Sequence, residues 1–151
     1  MAEIKSIDSL LKMNINIPNY QRPYKWSIQN IQELLVDIST AIEEADKNRT
    51  PFKYRVGTII LHERNTNPKE YDVVDGQQRL ISIVLIKQCL DPTFKCSLSK
   101  KEFSNKISQT NIHNNFMFIH EWFSLKSKED KEQFKNAFST ILEVVVICVN
   151  K

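Results

Sequence analysis

Apolar residues fall at Ile28, Ile31, Leu34, Leu35, Ile38, Ala41, Ile42 and Ala45, the three-and-four spacing that lines one face of a helix. This is the clearest helix in the chain. Ser27 stands at its N-cap, and Trp26 and Ile31 occupy the two positions of a hydrophobic staple, so the incoming loop and the helix start are expected to share one geometry. Upstream, Ile15 and Ile17 alternate with Asn14 and Asn16 as far as Pro18, the pattern of a short half-buried strand. Downstream, Asn48 and Pro51 mark a stop. Phe52, Tyr54, Val56, Thr58 and Ile60 then alternate with Lys53, Arg55 and Gly57, which predicts a strand buried more deeply toward Ile59, Ile60 and Leu61. Asn65, Asn67 and Pro68 supply a turn, and Tyr71-Asp72-Val73-Val74 reads as the return arm of a hairpin.

Between Leu80 and Leu90 the apolar residues point to nearly every side, which predicts a central, largely buried helix stopped by Asp91-Pro92. Ser99-Lys100-Lys101-Glu102 has the form of a capping box for a helix carrying Phe103 and Ile107. Phe116, Phe118, Trp122 and Phe123 predict a second helix, with Asn111 to Asn115 interrupting the two. Ser127-Lys128-Glu129-Asp130 opens a last short helix carrying Phe134 and Phe138, which leads into a strand over 141–149. No repeat or linker divides the chain, so residues 1–151 read as one domain: a motif-bearing core over 1–92, a helical segment over 93–140 and a terminal strand over 141–151. The fold class is α/β or α+β, a small mixed sheet from segments near residues 15, 56, 72 and 145 packed by helices. Because the strand pattern stops two residues before the end, the chain is expected to be a fragment of a longer protein.

Composition changes this picture little. The chain is 41% hydrophobic and 26% charged, an ordinary globular profile. Its net charge of +3 gives no support for a nucleic-acid surface. Cys89, Cys96 and Cys148 form no Cys-x-x-Cys pair and are odd in number, which argues against a zinc site or a disulfide framework and fits a reducing cytosol. No segment approaches the ~18 apolar residues of a membrane span and no signal segment opens the chain, so a cytoplasmic protein without a membrane partner is expected. Cys89, among Leu85, Ile86 and Leu90, is expected to be a buried helix residue.

Two segments carry candidate chemistry. In Val73-Val74-Asp75-Gly76-Gln77-Gln78-Arg79-Leu80 a strand passes through glycine directly into a helix. The first helical N–H groups lack intrahelical acceptors and the macrodipole favours an anion there. Arg79 offers a planar fork to phosphate, Gln77 and Gln78 can hydrogen-bond a base, a ribose or an attacking water, and Asp75 can hold magnesium or orient water. The same residues also suit an ordinary turn and helix start, with Arg79 paired to a carboxylate. No Walker A sequence is present. In Ile17-Pro18-Asn19-Tyr20-Gln21-Arg22-Pro23-Tyr24-Lys25-Trp26, two prolines stiffen a loop of aromatic, amide and cationic groups that suits recognition by stacking and by an Arg22–phosphate contact. Trp26 and Tyr24 equally suit a core role.

Taken together, Ile-Pro-x-Tyr-Gln-Arg-x-Tyr-x-Trp, a Val-Gly-x-Ile strand and Asp-Gly-Gln-Gln-Arg-Leu, in that order within residues 17–86, resemble the N-terminal domain of GmrSD-type modification-dependent restriction enzymes. That family is similar to the ParB and sulfiredoxin superfamily, in which a strand, a tight turn and a helix cradle nucleotide phosphates. The resemblance implies NTP binding and hydrolysis with Mg2+, coupled to restriction of modified phage DNA. It assigns Asp75, Gln78 and Arg79 to catalysis, Asp75 also to the metal, and Tyr20, Gln21, Arg22, Gly76, Gln77 and Arg79 to nucleotide and phosphate binding. Sulfiredoxin chemistry is disfavoured, because the turn has no cysteine. DNA is expected to be engaged through the full-length protein, whose His-Asn-His nuclease domain is not in this chain. Asn111-Ile112-His113-Asn114 is a poor substitute for it, and His62 and His120 show no partner. Three readings stay open: an NTP-hydrolysing regulatory module, a module that binds DNA or nucleotide without turnover, and an assembly domain whose motifs hold the loop to the sheet through an Arg–carboxylate pair. The two segments are expected to meet, with Arg22 and Arg79 accessible in a concavity.

Overall fold

The computed structural model describes residues 2–18, 22–99 and 103–150. A mixed five-stranded sheet has the order β1-β5-β3-β4-β2, with β1 at Ala2–Ser6, β2 at Ile15–Asn16, β3 at Arg55–Glu63, β4 at Tyr71–Asp75 and β5 at Glu143–Val149. The helices are α1 (Ile7–Leu11), α2 (Ile28–Asn48), α3 (Gln77–Leu90), α4 (Lys106–Ser124) and α5 (Lys128–Asn136), the last running into a π-helical turn at Ala137–Ile141. β3 and β4 form the expected antiparallel hairpin. The C-terminal strand β5 lies inside the sheet, parallel to β3 and antiparallel to β1.

Alternation decides which face is covered. Val56, Ile59, Leu61, Val73, Val144 and Val146 are buried beneath helices, whereas Ile4, Val74 and Val149 are exposed. α3 is the centre of the core: Leu80, Ile83 and Ile86 are fully buried, as the absence of a polar stripe predicts. Cys89 is 6% exposed and its thiol is pushed up to about 12 by burial. Ser27 caps α2 in a full capping box with Asn30, satisfying two orphan groups of the helix start.

The structure departs from the sequence pattern in three places. β1 and α1 carry no period long enough to read: Ile4 is the one large apolar residue of an edge strand, and α1 is a single turn capped by Ser6. The expected capping box at Ser99 has its other positions, 100–102, outside the described residues; α4 instead opens after Asn105, whose side chain accepts from the N–H groups of Ile107 and Ser108. Asn111 to Asn115 do not interrupt a helix. α4 is continuous over Lys106–Ser124, because the amides of Asn111 and Asn115 bond a neighbouring loop and leave the helical backbone to itself.

Candidate functional site

The chain has two glycines, and both shape the junction between β3, β4 and α3. Gly76 is the N-cap of α3 at φ 94°, with no side-chain cap bond. A Cβ there would stand 3.0 Å from the Thr58 carbonyl oxygen and 3.2 Å from Ile59 Cα, so β3 leaves room for glycine alone. Gly57, at φ 136°, sits where the β3–β5 register shifts. A Cβ there would lie 2.7 Å from Arg79 Nη1 and 2.8 Å from its Cζ. The guanidinium of Arg79 thus lies against the bare backbone of β3. A second register shift, between Ile60 and Leu61, frames Asp75, which pairs with Ile60. Bulges of this kind re-aim side chains next to sites.

The two motif segments meet, as expected, in their described part. Gln77 Nε2 donates to the Arg22 carbonyl at 2.7 Å, and Gln78 Nε2 donates to the Pro23 carbonyl at 2.9 Å. Gln78 Oε1 accepts from the Lys25 N–H at 2.7 Å. Gln77 is 7% exposed. Both glutamines therefore hold the loop by its backbone, a use their spacing does not disclose. Tyr20 and Gln21 lie outside the described residues. Arg22 is exposed and Arg79 is half-buried. Among the described residues neither arginine has an ion pair, so the loop is joined to the helix start through amides, not through an Arg–carboxylate bridge.

Asp75 presents an exposed carboxylate at the end of β4, one residue before the helix start. Among the described residues no cluster of three or more His, Cys, Asp or Glu side chains is arranged for a metal. Asp75 as a single carboxylate is the donor set that suits magnesium carried in on phosphates, since that ion keeps most of its ligands as water and phosphate oxygen. Sequence reasoning missed Tyr54, which lies within electrostatic reach of Arg79, and Asp37, which acts on Tyr54. The Tyr54 hydroxyl is pushed up by burial and by Asp37 of α2, and drawn down by Arg79. The signal for Tyr54 was its position three residues before Gly57; Asp37 gave none, being one of several charges on the outer face of α2.

Two concavities among the described residues lie elsewhere. One of 430 Å3 lies between α3 and α4 against Val84, Leu85 and Phe116, and one of 480 Å3 lies beside α1 against Asp8 and Lys87; neither is lined by Arg22, Asp75 or Arg79. Arg22 is exposed and Arg79 half-buried beside the helix start. No described helix is long and apolar enough to cross a membrane.

No curated protein matches the chain. The family described as GmrSD restriction endonuclease, N-terminal domain, matches residues 4–149, and so spans every strand and helix from the middle of β1 to the end of β5. With nearly its whole length matched, the chain belongs to the family of GmrSD restriction endonuclease N-terminal domains.

Proposed function

We propose that this chain is an NTP-binding and NTP-hydrolysing regulatory domain of a modification-dependent DNA restriction protein, acting in the cytosol, with DNA engaged and cut by other parts of the full-length protein. The observation that carries the reading is the pairing of an uncapped helix start at Gly76 with the Arg79 guanidinium, which lies over Gly57 without a carboxylate partner among the described residues. Free N–H groups and a positive fork at one place suit phosphate oxygens. Arg22, brought to the same helix start by the Gln77 bond, adds a second cation. Asp75 would hold the magnesium that accompanies the nucleotide, and that ion would supply charge neutralisation at the phosphates. A ParB- and sulfiredoxin-like cradle of strand, turn and helix is part of the same reading.

One observation favours the second reading, binding without turnover. Gln78, expected to position water, has its amide bonded at both ends to the loop, to Pro23 and Lys25. Calorimetric titration of the chain with ATP and with GTP in magnesium chloride, followed by phosphate release on the same samples, decides between them. Binding with release supports the proposed function; binding without release selects the second reading; absence of binding by either nucleotide refutes the proposed function and leaves only the DNA-binding form of the second reading.

A further inference from the structure

The loop that carries Arg22 is held from two sides. From α3, Gln77 and Gln78 bond the backbone of Arg22, Pro23 and Lys25. From α4, a polar stripe at three-and-four spacing bonds the residues that follow. Ser108 Oγ accepts from the Tyr24 N–H at 2.8 Å, Asn111 Nδ2 donates to the Tyr24 carbonyl at 2.9 Å, and Asn115 Nδ2 donates to the Trp26 carbonyl at 2.8 Å. Ser108, Asn111 and Asn115 fall on one helix face, and Ser108 and Asn115 are each 1% exposed.

A directed chain of hydrogen bonds joins the two sides. Ser82 Oγ donates to the Gln78 carbonyl at 2.8 Å. Its single proton is then used, so in the 2.7 Å contact between Ser82 and Tyr24 the phenol donates. The Tyr24 oxygen in turn accepts from Asn115 Nδ2 at 2.9 Å. The run Asn115, Tyr24, Ser82, Gln78 carbonyl is satisfied at every step, and Asn115, Tyr24 and Ser82 are buried, where an unmade bond is costly. A core anchored by apolar contact alone needs none of these bonds. The other bonds from α3 and α4 converge on the backbone of residues 22–26, the segment that carries Arg22.

We infer that Ser108, Asn111 and Asn115 of α4 are positioning residues, which fix the loop so that Arg22 is presented at the start of α3. The inference rests on the nucleotide reading above and extends it to a helix that neither motif marks. Asn111 is the most useful probe because it is only half-buried and makes one bond to the loop.

The test is a double-mutant cycle on the full chain, titrated with ATP and with GTP in magnesium chloride. Asn111→Ala is expected to weaken nucleotide binding about fivefold in the wild-type background, the effect of losing one hydrogen bond. In an Arg22→Ala background it is expected to change affinity by less than about twofold, because the residue acts through the arginine. Thermal unfolding should show the same small loss of stability in both backgrounds, a readout that separates positioning from general destabilisation. Asn111→Leu, which keeps the approximate shape, removes the donor and adds no charge, serves if the alanine variant folds poorly. Hydrogen exchange at the Tyr24 and Lys25 amides should speed up in either variant without ligand. Equal losses of affinity in both backgrounds, or none, would overturn the inference while wild-type binding leaves the nucleotide reading standing. Failure of the wild-type chain to bind either nucleotide would overturn that reading and this inference together.

Discussion

Gly57→Ala should damage the site without replacing Arg79 or any other proposed binding residue. The backbone at Gly57 has φ 136°, a region that costs a residue bearing a Cβ on the order of 1–3 kcal/mol. The new methyl would also stand 2.7–2.8 Å from the Arg79 guanidinium. That group is the tip of a flexible chain, so it yields first: the stability loss is set by the backbone and the loss of function by displacement of Arg79. Urea unfolding should therefore show a loss of about 1–3 kcal/mol, equivalent to roughly 2–4 °C in Tm for each kcal/mol in a chain of this size. Nucleotide affinity should fall about tenfold, as expected when one charge-assisted contact is misplaced. In an Arg79→Ala background the same substitution should cost the same stability but little further affinity. A Gly57→Ala protein with wild-type affinity would refute the placement of Arg79 as a phosphate contact, and an additive loss of affinity in the double variant would refute the proposed cause.

Arg79→Ala should weaken nucleotide binding about tenfold or more, because it removes charge-assisted bonds worth roughly 1.5–3 kcal/mol; calorimetry checks it. Asp75→Ala should leave measurable affinity and mainly abolish magnesium-dependent phosphate release, since an anion beside phosphates can help only through a cation or a positioned water. Tyr24→Phe removes the phenol that bonds Ser82 and Asn115, and should lower unfolding stability by about 1–3 kcal/mol while leaving the far-ultraviolet spectrum unchanged. Cys89 has its thiol raised from 9.0 to about 12 by burial. The unfolded chain therefore loses this proton first, and the stability associated with the thiol is complete below pH 9 and declines as the pH rises toward 12. Cys89→Ala should flatten that decline in urea titrations taken between pH 8 and 11.

The features legible in the sequence were those in which one local rule and the packing agree. α2 combines an apolar stripe with a Ser27 cap, α3 is apolar all round, and the β3–β4 hairpin has turn residues between alternating arms. β1 was illegible because an edge strand with one large apolar residue has no period, and its pairing with β5 joins residues at opposite ends of the chain. The asparagines of α4 misled because side chains that bond backbone usually compete with their own helix; here they serve another segment. The motif glutamines were legible as important, but the sequence cannot tell an amide aimed at a ligand from one aimed at a loop carbonyl. Arg79 was recognisable as a motif residue. Its resting place on Gly57 depends on a bulge in β3 that only the β5 register reveals.

The central claim is that phosphates bind where Arg22 and Arg79 flank the start of α3. Its most direct test is to follow backbone amide resonances of the isotope-labelled chain as ATP or GTP is added with magnesium. The account predicts the largest saturable shifts at Gly76, Gln77, Gln78, Arg79 and Arg22, all reduced in Arg79→Ala. Largest shifts along the 430 Å3 cavity between α3 and α4, or across the exposed face bearing Ile4, Val74 and Val149, with the helix start unmoved, would contradict it.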